Sequence, residues 1–460
     1  MNDGQLYGLR SRQLVLEQGV VAGVVLWQNE KIIDVLAYGE TLPENVELID
    51  VGNNAVMPGL VDTHVHVNEP GRTEWEGFNT ATRAAAAGGI TTLVDMPLNC
   101  DPVTTSVAAL KEKIDTLDGQ LWVDCGFWGG AIPGNMDELD DLVRAGVLGV
   151  KSFTIDSGLE EFPPVSEEHL RQALSILADH QVPYLIHAEL DKGDTPPAKI
   201  TDKYQTFLDS RPKRWENDAI QLMIGLLEEL QSEGKKGLVH IVHLSSADAI
   251  EAISHAREKG LGLTTETCPH YLTLFSENIP DGKTLFKCCP PIREDHNRQQ
   301  LWQGLKDGHI DFIVSDHSPC TPQLKHIDTG DLDAAWGGIS SLQFGLSLIW
   351  SESEKYGFGL HHIAKWMCTE PAAFAGLGDC KGKIEKGYDA DLIVFDGDEE
   401  YTIQKEHILF RHKMTPYEGR KVRGRVKRSY LRGQVILDSP VGKEVTFCEK
   451  STGRPILKKR

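Results

Sequence analysis

The feature that most constrains this fold is a rhythm: between Leu60 and Pro319 a short β-branched or apolar run, a polar turn and an amphipathic stretch recur. The runs are 60–66, 90–96, 121–128, 147–153, 182–188, 237–244, 261–268 and 310–315. Between them, segments such as 167–180, 216–231 and 246–259 space their apolar residues three and four apart, the pattern of a helix with one buried face. Eight strand–helix alternations predict an α/β fold, a (β/α)8 TIM barrel. The competing open, doubly wound sheet calls for a glycine-rich phosphate loop after an early strand, and no G-x-G-x-x-G is present. The units share no common signature, so they are not a solenoid array.

Both ends of the chain read differently. Residues 20–35 form two alternating strands around a turn at 29–31, and 386–396 and 422–438 are further strands broken by glycine and charge. The 460 residues exceed the roughly 250–300 at which a single core stops growing. We therefore expect a small β-sandwich from residues 1–57 and 385–460 beside a catalytic barrel over 58–384.

Chemistry enters with Val61-Asp62-Thr63-His64-Val65-His66 at the end of the first run. Side chains two apart on a strand share a face, so His64 and His66 can grip one ion. Alone, the pair could equally be two hydrogen-bonded histidines. However, Lys151, His187, His243 and Asp316 lie towards the ends of the fourth, fifth, sixth and eighth runs. A barrel gathers the carboxyl ends of its strands on one face, so these ligand-type groups should meet there. They exceed what one tetrahedral zinc needs and divide around two ions: His64, His66 and Asp316 on one, His187 and His243 on the other. His240, three residues before His243, falls on the opposite side of its strand and reads as structural.

Lys151 is the odd member, since an ammonium beside two dications is repelled and offers no anionic oxygen. A neutral amine can instead add carbon dioxide to give N6-carboxylysine, whose two oxygens could bridge the ions. The expected cofactors are thus two Zn2+, with Mn2+ or Co2+ also suited to such ligands.

Composition narrows the partners. With 47 Lys plus Arg against 68 Asp plus Glu, the net charge of −21 repels nucleic acid and anionic membrane surfaces. No stretch nears the roughly 20 apolar residues of a membrane span. The apolar stretch 14–27 is broken by Glu17 and Gln18 and lacks a cleavage site, so no signal peptide is expected. Nine scattered cysteines without a C-x-x-C predict free thiols, and the adjacent Cys288 and Cys289 alone make a weak metal site. Leu457-Lys458-Lys459-Arg460 is not the S-K-L address, which leaves the cytoplasm as the default.

Segments 61–72 (VDTHVHVNEPGR), 95–99 (DMPLN), 288–293 (CCPPIR), 315–320 (SDHSPC) and 335–339 (AWGGI) together resemble the cyclic amidohydrolases, the superfamily of dihydroorotase, dihydropyrimidinase, hydantoinase and allantoinase. The likeness spans nearly the whole chain and is greatest to the allantoinase branch, eukaryotic type. It implies a binuclear centre on His64, His66, carboxylated Lys151, His187, His243 and Asp316, the same set as strand geometry reaches. Dihydroorotases carry an arginine for the substrate carboxylate where Asn68 stands, so a ring carboxylate would lose its charge-assisted partner. A neutral substrate, allantoin, is favoured. Asn68, Asn99, Cys289 and Trp336 are the expected substrate contacts. Bacterial allantoinases have serine in place of Cys289, an exchange that a backbone contact would survive.

Asp316 is the expected general base, and His270 and His317 are candidates for orienting the ligands. Opening the ring would give allantoate, a step of purine breakdown. The alternatives are a hydantoinase or dihydropyrimidinase preferring apolar substituents, and a metal-free scaffold. No G-x-S-x-G elbow supports a serine hydrolase, and metal-activated water leaves a thiol at Cys289 or Cys320 no task. Relatives imply a homo-oligomer, dimer or tetramer.

Overall fold

The computed structural model describes residues 4–193, 199–439 and 445–458. Five strands precede the repeating region: β1 (Leu6–Leu16), β2 (Gly19–Gln28), β3 (Lys31–Ala37), β4 (Val46–Asp50) and β5 (Ala55–Pro58). The repeating region holds β6 (Leu60–Val65), β7 (Ile90–Asp95), β8 (Asp124–Phe127), β9 (Gly129–Gly130), β10 (Val150–Phe153), β11 (Tyr184–His187), β12 (Val239–Ile241), β13 (Leu263–Thr267) and β14 (Phe312–Ile313). After it come β15 (Leu392–Thr402), β16 (Lys421–Leu431), β17 (Gln434–Asp438), β18 (Thr446–Phe447) and β19 (Pro455–Ile456).

Each of the eight expected runs contains a strand. All neighbours within the repeating region are parallel: β6 with β7, β7 with β8, then β9 through β14 in sequence order. Parallel strands are covered by helices on their outer face, so they read as nearly continuous apolar, β-branched runs. In β6 and β7 every residue is buried. Only Trp128 separates β8 from β9, and Val65 forms a parallel bridge with His317 just beyond β14. The described strands of this region fall into a six-stranded parallel sheet, β9 to β14, and a four-stranded sheet in which β6, β7 and β8 are joined by β19 on the edge beside β8.

The helices follow their spacing. In Glu167–His180, Ser166 accepts from the His169 amide while the His169 ring reaches back to the Ser166 amide, closing a capping box. Leu170, Ala173, Leu174 and Leu177 form its buried face. Truncating Leu170 to alanine would cost about 2–5 kcal/mol.

Both chain ends contribute to one connected nine-stranded sheet among the described residues, ordered β18-β17-β16-β15-β5-β1-β2-β3 with β4 on β1. The ends meet where Leu392 to Phe395 run antiparallel to Pro58 to Ala55. A buried ion cluster also links the sheets: Asp124 of β8 pairs with Lys381 at 2.7 Å and with Arg432, and receives the Arg454 amide at 2.9 Å. All nine cysteines are free. No helix among the described residues is long and apolar enough to cross a membrane.

Candidate metal centre

The six ligand-type residues come together. His64, His66, Lys151, His187, His243 and Asp316 all line one cavity of about 560 Å³. Each is at most 6% exposed, so none is a surface group by chance near the others.

The first cluster is His64, His66 and Asp316, whose ligand atoms lie within 4.8 Å of one another. Nε2 of His64 is 3.2 Å and Nε2 of His66 3.7 Å from the same oxygen, Oδ1 of Asp316. The other nitrogens are held from behind. Nδ1 of His64 meets Oε1 of Glu266 at 2.5 Å, and His66 hydrogen-bonds the backbone of Leu98, with the Asn99 amide 3.2 Å from its Nδ1. A carboxylate or carbonyl on one ring nitrogen fixes the tautomer and presents the other nitrogen's lone pair.

The second cluster repeats this design. Nε2 of His187 meets Glu189 at 2.7 Å, which turns its Nδ1 towards Nε2 of His243, 2.9 Å away. Glu189 is in turn clamped by Arg211 at 2.6 and 3.0 Å. Burial would raise the Glu189 carboxyl, but Arg211 and His187 hold it below the usual range. Burial lowers His187 to about 4 and His66 and His243 well below the ordinary imidazole value, so these rings are neutral. Neutral imidazole is the ligand form.

Lys151 supplies the test of fit. Its Nζ is buried and has no hydrogen-bond partner, an arrangement costing several kcal/mol for a charged amine. Burial brings it down to about 7, against the pull of Glu266 and Asp316, so the neutral amine is available near neutrality. Four imidazoles, a carboxylate and an orphaned amine form a donor set that fits divalent metal ions.

His243 and Asp316 have φ of 39° and 43°, in the left-handed region that non-glycine residues avoid. Such conformations cost of order 1–3 kcal/mol each and persist where surrounding contacts enforce them. At His243 the amide donates to Oε1 of Glu266 at 3.3 Å. Burial raises the Asp316 carboxyl to about 6.

Of the expected substrate contacts, Asn99, Cys289 and Trp336 line the cavity. Asn68 does not: it is fully buried, and its amide donates to the Pro319 carbonyl at 3.2 Å, which ties the 316–320 loop to the end of β6. His317 is held between Glu76 at 3.2 Å and the amides of Ser341 and Leu342. His270 is buried with both ring nitrogens unpartnered, near Cys268 and Asp316. His240 faces Thr264 and Glu266 and stacks on Phe312, away from the cavity.

Sequence reasoning missed Glu266 and Glu189. Glu266 alone contacts the His64 ring, the His240 ring and the His243 amide. The available signals were an acid inside the buried run 263–267 and, for Glu189, its spacing of two from His187.

Comparison with known proteins adds independent findings. The sequence pattern of the amidohydrolase family matches residues 55–436. The allantoinase of Saccharomyces cerevisiae is 46% identical over 89% of this chain and 90% of its own length. That of Streptomyces avermitilis is 45% identical over 95% of this chain and 96% of its own, and that of Arabidopsis thaliana 42% over 94% and 88%. Among solved structures, the L-hydantoinase (dihydropyrimidinase) of Arthrobacter aurescens superimposes with a TM-score of 0.88 at 27% identity, covering 100% of both chains.

Proposed function

The chain belongs to the amidohydrolase family, and we propose that it opens the hydantoin ring of allantoin by hydrolysing the ring amide, giving allantoate. It is a metal-dependent cyclic amidohydrolase. The observation that carries the reading is the convergence of every ligand-type residue on one cavity, in a chain whose allantoinase relatives match it over about nine-tenths of its length.

In this reading, the two parallel sheets are parts of one eightfold barrel over 58–384, closed where Val65 bridges His317, with a β-domain from 1–57 and 385–460 beside it. His64, His66 and Asp316 would hold one ion and His187 and His243 the other, with Lys151 between them. We take the native ions to be zinc. Bound there, divalent ions would supply activated water, since such metals lower the pKa of a bound water to about 7.

The remaining steps belong to the chain's own groups. The neutral Lys151 amine adds to the carbon of carbon dioxide: an N–C bond forms as one C=O π bond opens to an oxyanion, and the amine proton leaves to water, giving a carbamate anion where an ammonium would be repelled. Asp316, on a strained backbone beside His64 and His66, takes the proton of the attacking water on its carboxylate. It returns that proton to the ring nitrogen as the C–N bond breaks. Asn99, Cys289 and Trp336 shape the wall that receives the ring, while Asn68 acts by holding the loop that carries Asp316. The nine free thiols fit a reducing cytoplasm, although Lys459 and Arg460 of the terminal tetrapeptide lie outside the described residues. A homo-oligomer, dimer or tetramer, is the expected assembly.

The likeness to the hydantoinase structure favours a second reading, a hydantoinase or dihydropyrimidinase. Metal-loaded protein assayed with allantoin, 5-substituted hydantoins and dihydrouracil separates the two. Preferential turnover of allantoin is expected, and faster consumption of dihydrouracil would overturn the assignment.

A further inference from the structure

One buried cation has no role in the chemistry above. Lys325 is 2% exposed, and its Nζ donates to three backbone carbonyls: Lys287 at 3.0 Å, Trp336 at 2.9 Å and Gly338. The ionisable groups that act on it most are Cys320, Cys288, Lys287 and Cys289, and no carboxylate is among them. A buried ammonium without a counter-anion is unfavourable unless its donors are saturated, and three carbonyls saturate all three N–H bonds.

Those carbonyls belong to two separate stretches of the cavity wall. One is 287–289, which ends at Cys289, and the other is 336–338; both line the cavity. The stretches also touch directly. The Gly338 amide donates to the Lys287 carbonyl at 2.9 Å, and the Lys287 ammonium donates to the Asp333 carbonyl at 2.9 Å. A Cβ on Gly337 would come within 3.3 Å of the Cys289 sulfur, and one on Gly338 within 2.3 Å of the Ser318 carbonyl oxygen. The seam therefore tolerates little displacement, and the Lys325 ammonium sits at its centre.

We propose that Lys325 is a positioning residue for substrate, its ammonium pinning the Cys289 and Trp336–Gly338 segments into the wall that receives the ring. The inference rests on the ring-opening reading for what is bound, but not for the pinning itself. Lys325 lines neither the cavity nor the metal cluster, so its loss should spare the ions. Burial lowers the group to about 8, which still leaves it mostly charged at neutral pH.

The test compares wild type with Lys325→Met, which keeps the apolar stem, and Lys325→Ala, which leaves an ammonium-sized space. For Lys325→Met, the KM for allantoin should rise about tenfold with kcat changed much less and metal content unchanged. In Lys325→Ala, ammonium chloride should restore KM where sodium chloride does not. Backbone hydrogen exchange should accelerate at 286–290 and 333–340 in both variants. An unchanged KM with unchanged exchange in folded Lys325→Met overturns the proposal, as does a fall in kcat and metal content at constant KM. If wild type fails to hydrolyse allantoin, the functional reading falls, and the exchange measurement still decides the pinning. If neither variant folds, Lys325→Arg, which retains charge and donors, should show near-native KM and exchange; a tenfold loss there refutes a role carried by the cation.

Discussion

Replacing Glu266 by glutamine isolates the support behind the metal centre without changing its shape. Glu266 is fully buried and holds the ring N–H of His64 at 2.5 Å, that of His240 at 3.1 Å and the amide of His243 at 3.3 Å. Burial would raise its carboxyl, but His64 and His240 draw it down to about 2, so it is an anion throughout the working pH range. Glutamine keeps one acceptor oxygen and turns the other into a donor, so one of the two ring N–H groups must face an amide NH2. The lost charge-assisted bond is worth about 1.5–3 kcal/mol, and about 1.4 kcal/mol is a tenfold change in a binding constant. A metal Kd about 10- to 100-fold weaker follows, in line with the usual effect of removing a carboxylate behind a ligating histidine. Competition of metal against a graded chelator measures it, alongside kcat/KM at saturating metal. If Glu266→Gln binds metal as tightly as wild type, the carboxylate does not orient His64, and the reasoning fails.

Three further outcomes follow from the same geometry. In the metal-free protein burial brings Lys151 down to about 7, Asp316 up to about 6 and His187 down to about 4; protonated ligands cannot bind, so metal affinity should fall about tenfold per pH unit below 7, about 100-fold per unit below 6 and more steeply below 4, and a titration flat from pH 7 to 4 would contradict this. Asp124→Ala strips the close carboxylate from buried Arg432 and leaves Lys381 with Asp389 and Asp391, and should destabilise the protein by about 3–5 kcal/mol in urea unfolding with metal content retained; a loss below 1 kcal/mol refutes it. Trp336 lines the cavity and its indole N–H is buried without a hydrogen-bond partner, so Trp336→Phe should raise KM for allantoin roughly 2- to 10-fold at constant kcat, and an unchanged KM would remove that N–H from recognition.

Much of this was legible in the sequence, because parallel strands buried on both faces write themselves as continuous apolar runs. The predicted run 147–153 contains β10 (Val150–Phe153) and 182–188 contains β11 (Tyr184–His187), each too long by residues that are buried yet not in the ladder. Buried turns look like strands by hydrophobicity alone. The H-x-H pair was visible because a period of two is a strand's own, and His187 because it ends β11. Less visible was β1 (Leu6–Leu16), whose alternation is broken by an irregularity between Ser11 and Leu14. The carboxylates behind the ligands were hidden for a different reason. Glu266 and Glu189 sit in apolar or β-branched surroundings where an acid reads as an exception, and only the fold brings them against His64 and His187. Asn68 shows the converse: a family motif suggests a substrate contact, and only the fold reveals that its amide donates to the Pro319 carbonyl.

In the proposed centre, His64, His66, Lys151, His187, His243 and Asp316 surround two ions bridged by a carboxylated lysine. A crystallographic map of the metal-loaded protein at the absorption edge of zinc tests it most directly. Two anomalous peaks are expected, one at His64 and His66 and one at His187 and His243, with continuous density running from Nζ of Lys151 to both. A single peak at His64, His66 and Asp316, with Lys151 ending as a free amine, would contradict it.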